Sequence, residues 1–378
     1  MKSQRGSYLR RFFDFWVGAP LLFILGSLRL KRKVPNQIDV IGLFSLSAIG
    51  DTILASAIAN DLKRSLPSAK IVVFVGPAGR GISQIIEGFD GEVVIPTTHP
   101  LSALRIIRKH QVDVVIDICA WPRITALYAA LSRARFTVGF WTDGASRHWA
   151  YDAAIKHSSN QHEIDNFRAL LKPFGISGNA LPHVLAKYYP PINETKKGDQ
   201  ASVVIFHPWA SGFRSNLREW PTERWVALAR AIIADGCRIV ITGGPGDLER
   251  SVQLRTAIER PDQVRTLAGH IGLADTAMEI ARAAAVVCVN TGTMHLAAAL
   301  NRPLVALHGP TNSLRWGPLS EAAIIVEPPS GAGCGYLNLG FEYPTNPPDC
   351  MAMITVDDVL IRLRQALGSG LCQARRLG

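Results

Sequence analysis

Short apolar runs alternate with segments of helical periodicity through the first half of the chain. Apolar runs of about four to eight residues indicate buried strands, and the amphipathic segments between them indicate crossover helices. The predicted strands cover 38–44, 71–75, 93–95 and 112–118, and the predicted helices cover 53–66, 81–87, 101–110, 124–132 and 161–173. This alternation predicts a parallel sheet with helices on its faces.

The same alternation restarts after a polar, proline-bearing stretch at 187–200, which predicts a linker. The predicted strands of this half cover 202–206, 238–241, 264–267, 285–289 and 304–307, and the predicted helices cover 222–235, 247–259, 275–284, 293–300 and 355–367. The predicted fold class is therefore α/β, with two Rossmann-like domains facing across a cleft. Ligands of such sheets bind at the carboxyl ends of the strands.

The first 37 residues differ from the rest of the chain. Residues 1–40 hold eight basic and two acidic residues, which accounts for more than half of the net charge of +11. The stretch 15–28 has no charged residue, but it is shorter than the roughly 20 residues that a transmembrane helix needs. The pattern predicts a helix in the membrane interface, kinked or restarted at Pro20, rather than nucleic-acid binding. A terminal helix docked on the protein itself is the alternative.

The composition, with 48% hydrophobic and 19% charged residues, indicates a globular protein. None of the six cysteines forms a Cys-x-x-Cys pair, which argues against a zinc site. Cys237 and Cys288 lie in apolar runs and are expected to be reduced, which fits a cytoplasmic location. Cys334 and Cys350 flank an irregular loop, and whether they pair is left open.

The segment after the strand at 285–289 carries the strongest chemical signal. The run breaks at Asn290, Thr291 and Gly292, and a short helix follows from Thr293. A strand, a tight turn and a helix N-terminus present backbone amides and a positive dipole end to an anion, and a phosphate or diphosphate is the natural guest. An ordinary βαβ turn without a ligand is the alternative. His295 lies one turn into the helix, either as a contact or as a buried core residue.

Other strand ends carry weaker signals. Gly243 and Gly244 form a glycine-rich loop after the strand at 238–241, and Arg214 lies in the loop after the strand at 202–206. Asp51 follows the first strand and stands near a helix N-terminus, where it is either a helix cap or a general base. The chain has no Gly-x-Gly-x-x-Gly fingerprint, which argues against a nicotinamide-dependent oxidoreductase.

The sequence of one segment resembles a motif of a known family. Thr-Gly-x-Met-His-Leu-Ala-Ala-Ala-Leu-x-x-Pro at 291–303, followed by Gly-Pro-Thr and Arg-Trp-Gly-Pro, resembles the donor-binding signature of glycosyltransferase family 9, the bacterial ADP-heptose:lipopolysaccharide heptosyltransferases and their relatives. The resemblance runs from about residue 38 to about residue 367. It implies the GT-B arrangement, with an acceptor domain at 38–186, a nucleotide-sugar donor domain at 201–350, and a C-terminal helix and tail at 351–378.

The resemblance also implies residue roles in the first half. Ser47-x-x-Gly50-Asp51 resembles the family's N-terminal motif, whose aspartate deprotonates the acceptor hydroxyl, so Asp51 is the expected base, and Ser47 and Gly50 belong to the acceptor loop. A helix N-terminus lowers a carboxylate pKa and keeps it ionised.

In the second half, two positions depart from the family. Arg218 stands where the family has a lysine that contacts the donor diphosphate, which retains the charge but changes its geometry. Asn290 stands where the family has an aspartate beside the donor sugar, which loses the charge. The resemblance implies a donor contact for His295. Activity and sugar selectivity therefore both depend on these two positions.

The implied reaction is an inverting glycosyl transfer with a nucleotide sugar, ADP-heptose, as donor substrate and no cofactor. The amides of Thr291, Gly292 and Thr293 and the Arg218 side chain would hold the diphosphate. The chain contains no Asp-x-Asp sequence, so metal independence is expected. The expected acceptor is a lipopolysaccharide core or another lipid-linked saccharide, at the cytoplasmic face of the inner membrane. A catalytically silent protein that binds a nucleotide sugar at the membrane is the alternative.

Overall fold

The computed structural model describes residues 8–188 and 202–368. The chain divides into two compact units, which join between His183 and Val184 and are described one at a time below. Most of the predicted linker, together with the C-terminal tail, lies outside the described residues. The domain boundaries given above therefore stay predictions.

The N-terminal unit is built on six parallel strands in the order β3-β2-β1-β4-β5-β6. The strands are β1 (Val40–Ser45), β2 (Lys70–Val75), β3 (Gly91–Val94), β4 (Val114–Asp117), β5 (Phe136–Trp141) and β6 (Ala153–Lys156). The helices are α1 (Tyr8–Trp16), α2 (Gly18–Ser27), α3 (Ile49–Ser65), α4 (Pro100–Lys109), α5 (Arg123–Leu131) and α6 (Glu163–Ala169). β1 and β4 lie at the centre and are buried throughout or nearly so, as the continuous apolar runs predicted.

The predicted helix at 81–87 is wrong. Only a single 3₁₀ turn, Ile82–Gln84, forms there. Gly81 and Gly88 both adopt positive φ, which a continuing α-helix does not allow, and the carboxylate of Glu92 accepts the amides of Gly81 and Ser83 at 2.8 and 3.1 Å. The side chain of the neighbouring strand therefore replaces the hydrogen bonds that a helix would have made.

The C-terminal unit repeats the topology of the first, with six parallel strands in the order β12-β11-β10-β7-β8-β9. The strands are β7 (Val203–His207), β8 (Arg238–Ile241), β9 (Val264–Thr266), β10 (Ala285–Val289), β11 (Leu304–Leu307) and β12 (Ala323–Val326). The helices are α7 (Thr222–Ala234), α8 (Leu248–Ile258), α9 (Leu273–Arg282), α10 (Gly292–Ala299), α11 (Ser313–Trp316) and α12 (Val356–Leu367).

Two tryptophans near the start of α7 belong to the core of this unit. Trp220 and Trp225 are buried and their rings meet edge-on, with centroids 5.2 Å apart. The indole N–H of Trp220 donates to the Ile354 carbonyl at 2.9 Å. This contact joins α7 to the segment before α12, so both tryptophans are packing residues.

The N-terminal segment forms a helical hairpin, α1–α2, that packs on its own unit. Pro20 lies in the first turn of α2, so the predicted restart of the helix at this residue is confirmed. Gly18 and Gly26 let α2 approach Arg123 and Trp149 closely, because a Cβ at Gly26 would lie 2.8 Å from the Trp149 carbonyl oxygen. Within the described residues, no helix combines the length and apolarity needed to cross a bilayer.

Candidate functional site

In each sheet the order in which strands are added reverses between two central strands, so that successive crossovers run to opposite edges. Ligands of α/β sheets bind at such switch points. In the C-terminal unit the switch point separates β7 from β10. His207 is the last residue of β7. Its Nε2 is hydrogen-bonded to the Thr293 hydroxyl of α10 at 3.2 Å. The crevice at this point is therefore lined by the end of β7 and the first turn of α10.

The start of α10 has the geometry that the sequence predicted. Thr291 is the N-cap in extended conformation, and its side chain makes no capping hydrogen bond. The first amides of a helix have no partner within the helix, so those of Gly292 and Thr293 depend on a group from outside it. The Thr291 hydroxyl is buried and has no hydrogen-bond partner among the described residues. A buried polar group of this kind at a helix N-terminus is typical of a site that binds an anion.

His207 connects three elements around this crevice, and sequence reasoning noted only the loop that it begins. Its Nδ1 lies 2.9 Å from the Thr242 hydroxyl at the end of β8, and its Nε2 reaches Thr293. Burial lowers its pKa to about 4, so the ring is neutral at pH 7. It is a positioning residue for α10, because a neutral ring adds no charge to an anion site. The predicted contact His295 is buried in the same helix.

Asn290 faces a pocket that suits an amide and not a carboxylate. Its Nδ2 donates to the Trp316 carbonyl at 3.3 Å and lies 3.4 Å from Nδ1 of the buried His308. Burial lowers the pKa of His308 to about 4. An aspartate here would set a carboxylate against a carbonyl oxygen and a neutral ring. The departure from the family pattern is thus matched by its surroundings.

The two buried histidines predict a pH dependence of stability for the C-terminal unit. Each has a folded-state pKa of about 4 against 6.5 for the free side chain, because burial disfavours the charged ring. Their contribution is complete above pH 6.5 and is lost as the pH falls towards 4, because only the unfolded chain takes up protons there. Thermal unfolding followed from neutral to acid pH measures the loss. The exposed His99, replaced by Gln, should leave the slope unchanged.

The two predicted arginines lie in one loop after β7. Arg214 has a left-handed backbone and stacks on the ring of Tyr343, with its guanidinium carbon 5.2 Å from the ring centroid. Arg218 ends a 3₁₀ turn and donates to the Ser211 carbonyl of the same loop. Both cations are thus held by loop contacts, and their proposed role towards a diphosphate stays a prediction.

The glycine loop after β8 is closed by its own acidic residue. The Gly244 amide donates to Asp247 at 2.7 Å, and a Cβ at Gly243 would lie 2.9 Å from the Trp209 ring. Arg250, which the sequence analysis missed, pairs with Asp247 and also with Glu219, and it stacks on Trp209 with 4.3 Å to the ring centroid. This cluster fixes the loop, and it was missed because Glu219 is 31 residues from Arg250 in sequence.

A disulfide joins Cys334 to Cys350 and closes the loop between them. This answers the question that the sequence left open. The closed loop runs beside the end of β11, where the amides of Gly335 and Leu337 donate to the carbonyls of Gly309 and Pro310 at 3.0 and 2.8 Å. The Asn338 carbonyl, on the same loop, accepts from Arg315 and from the indole of Trp316. The disulfide therefore closes the loop that packs against the segment after β11.

Replacing Cys334 and Cys350 by Ala should lower the free energy of unfolding by about 3 kcal/mol, the value expected for a loop of roughly 15 residues. Thermal unfolding with and without a reductant measures this. The reductant should lower the stability of the wild type and leave the stability of the double variant unchanged. The double variant therefore serves as the control for other effects of the reductant. An unchanged wild type, with both thiols shown to be free by alkylation, would contradict the prediction.

In the N-terminal unit the switch point lies between β1 and β4. A cavity of about 310 Å³ opens at the ends of β1 and β2, within the range of small-molecule sites. It is lined by Ser45, Leu46, Ser47, Ala48, Ile49, Thr52, Gly76, Pro77, Ala78, Gly79 and Thr97. The predicted acceptor-loop residue Ser47 is therefore a cavity residue.

Asp51 lies in the first turn of α3, beside this cavity wall. Ala48 occupies the N-cap position of α3, and Asp51 follows it in the first turn of the helix. The Asp51 side chain is half-buried, and Gly50 before it is buried. The proposed role of Asp51 as the base stays a prediction.

A buried ionic network holds the loop after β1 that lines the cavity, and the sequence analysis missed this network. Arg147 and Asp117 are fully buried and pair at 2.8 Å, and Tyr151 donates to the same carboxylate oxygen at 2.8 Å. The other oxygen of Asp117 accepts the Cys119 amide at 2.9 Å, and Cys119 Sγ in turn accepts the Leu46 amide at 3.4 Å. The network connects the end of β4 to the loop that lines the cavity.

No group of three or more histidine, cysteine, aspartate or glutamate side chains is arranged to hold a metal ion within residues 8–188 and 202–368. The crevices described above are instead lined by amides, hydroxyls and neutral histidines. Two Rossmann-like units of this kind, one with an uncapped helix N-terminus at its switch point, are typical of α/β proteins that bind phosphorylated ligands.

The chain belongs to glycosyltransferase family 9 (heptosyltransferase), whose family model matches residues 101–333. Lipopolysaccharide heptosyltransferase 2 of Escherichia coli strain K12 is 37% identical over 111 residues, 29% of this chain and 32% of that protein. The chain thus matches about a third of the length of such relatives. Lipopolysaccharide heptosyltransferase 3 of Escherichia coli is 23% identical over 299 residues, 73% of this chain and 85% of that protein.

Solved structures confirm the predicted fold class. Glycosyl transferase family 9 from Veillonella parvula DSM 2008 superposes with a TM-score of 0.70 at 19% identity, covering 89% of this chain and 98% of that one. E. coli ADP-heptose lps heptosyltransferase II gives a TM-score of 0.70 at 21% identity, covering 87% and 98%. At these identities the likeness concerns the fold alone.

Proposed function

We propose that the protein is an inverting, metal-independent glycosyltransferase that moves heptose from ADP-heptose to a lipopolysaccharide core or another lipid-linked saccharide. The observation that carries the proposal is the start of α10, where uncapped amides and the unpartnered Thr291 hydroxyl meet at the switch point of a family 9 chain. The relatives are lipopolysaccharide heptosyltransferases by name, which supports this substrate class.

The chemistry needs a base and a place for the leaving group. In the proposed step the acceptor hydroxyl oxygen bonds to the anomeric carbon, the bond from that carbon to the diphosphate breaks, and ADP leaves with its electron pair. Asp51 takes the hydroxyl proton. The amides of Thr291, Gly292 and Thr293, with Arg218, stabilise the charge that develops on the diphosphate. A single displacement of this kind inverts the anomeric centre.

The proposal extends to location. The charge and apolarity of the first 40 residues support peripheral attachment to the cytoplasmic face of the inner membrane. Nucleic acid is not a proposed partner, because the excess charge is concentrated in this apolar segment.

A nucleotide-sugar panel tests the function. Transfer to core-truncated lipopolysaccharide is measured with ADP-heptose and with UDP- and GDP-sugars, in the presence of EDTA or of magnesium. We expect transfer from ADP-heptose alone and equal rates with EDTA and magnesium. Loss of turnover in EDTA, restored by magnesium, would refute metal independence, and the absence of transfer from every donor would refute the enzyme.

The silent alternative is favoured by one observation, the fit of Asn290 to the Trp316 carbonyl. Under the catalytic proposal, Asn290→Asp should not raise transfer, and it should lower the free energy of unfolding by about 1–3 kcal/mol because a buried contact becomes repulsive. Unfolding by urea and initial rates measure the two effects, with Asn301→Asp at the exposed surface as control. A wild type that binds ADP-heptose without turnover, and a variant that gains turnover, would establish the silent alternative.

A further inference from the structure

The hairpin α1–α2 carries an apolar surface that nothing in its own unit covers. Among the residues that the structure describes, 21 large hydrophobic side chains are exposed, and ten of them fall within residues 12–30. Trp16 is 63% exposed and Leu28 is 81% exposed, whereas Leu22 is fully buried against the unit. One side of the hairpin is therefore docked and the other is open, and an open apolar surface of this extent marks an interaction site.

The hairpin is fixed at the edge of the sheet that carries the carboxyl ends of the strands. Asp14 of α1 accepts the amides of Arg123 and Ile124 at 2.8 and 3.3 Å and pairs with the Arg123 side chain at 3.0 Å. It thus caps α5, whose N-terminus follows the carboxyl end of β4. The carboxyl ends of parallel strands share one edge, so the end of α1 lies on the same edge as the cavity beside Asp51.

A row of aromatic rings extends the apolar surface along that edge. Phe23 of α2 contacts Trp149, Trp149 contacts His148, and His148 contacts Trp141, with ring centroids 5.3, 5.1 and 5.4 Å apart. Lys156 lies over the Trp141 ring at 5.3 Å. Trp141 ends β5, two strands from β1, which corresponds to about 10 Å at the usual strand spacing. Aromatic and basic side chains together are typical of the membrane interface.

The charge of the segment indicates whether a bilayer or a second copy of the chain covers the apolar surface. Residues 1–40 carry eight basic and two acidic residues. Asp14 is paired with Arg123, and Arg29 and Arg32 are both paired with Asp152, so the segment keeps an excess of positive charge beyond these ion pairs. A symmetric dimer through this surface would bring two strongly cationic segments together. An anionic bilayer surface neutralises the same charges and accepts the apolar rings.

We propose that the exposed side of the α1–α2 hairpin, with Trp141 and Trp149, inserts into the interface of an anionic bilayer. The acceptor then reaches the cavity beside Asp51 from the lipid side, with its lipid anchor left in the membrane. The acceptor part of this inference rests on the proposed function, whereas the membrane part does not.

The test uses full-length protein and flotation with vesicles of phosphatidylcholine, with or without phosphatidylglycerol. The patch variant replaces Trp16 and Leu28 by Ser, and the control variant replaces Leu101 and Ile361, which are equally exposed elsewhere, by Ser. We expect the wild type and the control to float with the anionic vesicles. The patch variant should bind about a hundredfold more weakly, because each apolar side chain withdrawn from lipid weakens binding about tenfold.

A second measurement separates this inference from the proposed function. Transfer is measured with acceptor embedded in anionic vesicles and with the same acceptor after its acyl chains are removed. The patch variant should lose rate only with the embedded acceptor. Absence of transfer to both acceptors would overturn the proposed function and the lipid-side route, while flotation would still decide whether the hairpin binds membranes.

Two outcomes would overturn the membrane surface. Flotation of the patch variant equal to that of the wild type would show that these side chains do not enter lipid. A wild type that stays out of the vesicle fraction and sediments as a dimer, with the patch variant sedimenting as a monomer, would assign the surface to self-association instead.

Discussion

Replacing Asp51 by Asn is expected to lower kcat by about a thousandfold, since a positioned general base contributes roughly 10²–10⁴ in rate. The amide keeps the shape of the side chain but cannot take the proton of the acceptor hydroxyl. The affinity for ADP should not change, because the diphosphate is proposed to bind at α10 of the other unit. Initial rates at saturating substrates and calorimetric titration with ADP measure the two quantities.

Asp39→Asn is the matched control for this substitution. Asp39 precedes β1 and is exposed, whereas Asp51 follows the same strand. The control should retain the wild-type rate. A residual rate of Asp51→Asn within about tenfold of the wild type, or a similar loss in both variants, would remove Asp51 from the role of base.

Replacing Arg147 by Met is expected to lower the free energy of unfolding by about 3–5 kcal/mol, because it leaves the Asp117 carboxylate buried without its ionic partner. Both side chains are fully buried, and Met fills much of the lost volume, so the loss reports the charge rather than a cavity. The loop at Leu46 should also loosen, because its amide is held through Cys119. Urea unfolding measures the energy, and hydrogen exchange of the Leu46 and Cys119 amides measures the loosening.

Arg135→Met provides the control in the same unit. Arg135 pairs with Asp113 at 3.2 Å but is 53% exposed, so its removal should change stability by less than about 1 kcal/mol. Adding Asp117→Asn to Arg147→Met should recover part of the stability, because the unpaired charge is removed. Equal losses for the two arginine substitutions would contradict the special cost of the buried pair.

The sequence predicted those elements whose apolar runs are continuous. β10 and β11 were predicted with their observed bounds, because both are buried over their full length. β5, β6 and β12 were missed. β6 and β12 are four-residue edge strands that are only partly buried, and β5 includes Thr137 and Gly139, which break its apolar run. The hydrophobic pattern of such strands is weak, and they form because they pair with neighbouring strands of the sheet.

The site shows the same division. The uncapped start of α10 follows from a local strand–turn–helix pattern, and so does the first-turn position of Asp51. The partners Asp117 and Arg147 are 30 residues apart, and Glu219 and Arg250 are 31 apart. Contacts at such separations leave no periodicity in the chain. Only the folded structure shows that these charged residues support the two crevices.

The seat of the α1–α2 hairpin has a consequence for the order of events during synthesis. The partner of Asp14 is Arg123, which is synthesised 109 residues later, and the partner of Arg29 is Asp152, which is synthesised 123 residues later. At a translation rate of about 5–20 residues per second, this gap lasts roughly 6–25 s. The apolar hairpin therefore emerges from the ribosome well before the surface against which it packs. Nascent chains cut short of Asp152 should depend on a chaperone or a nearby bilayer to stay in solution.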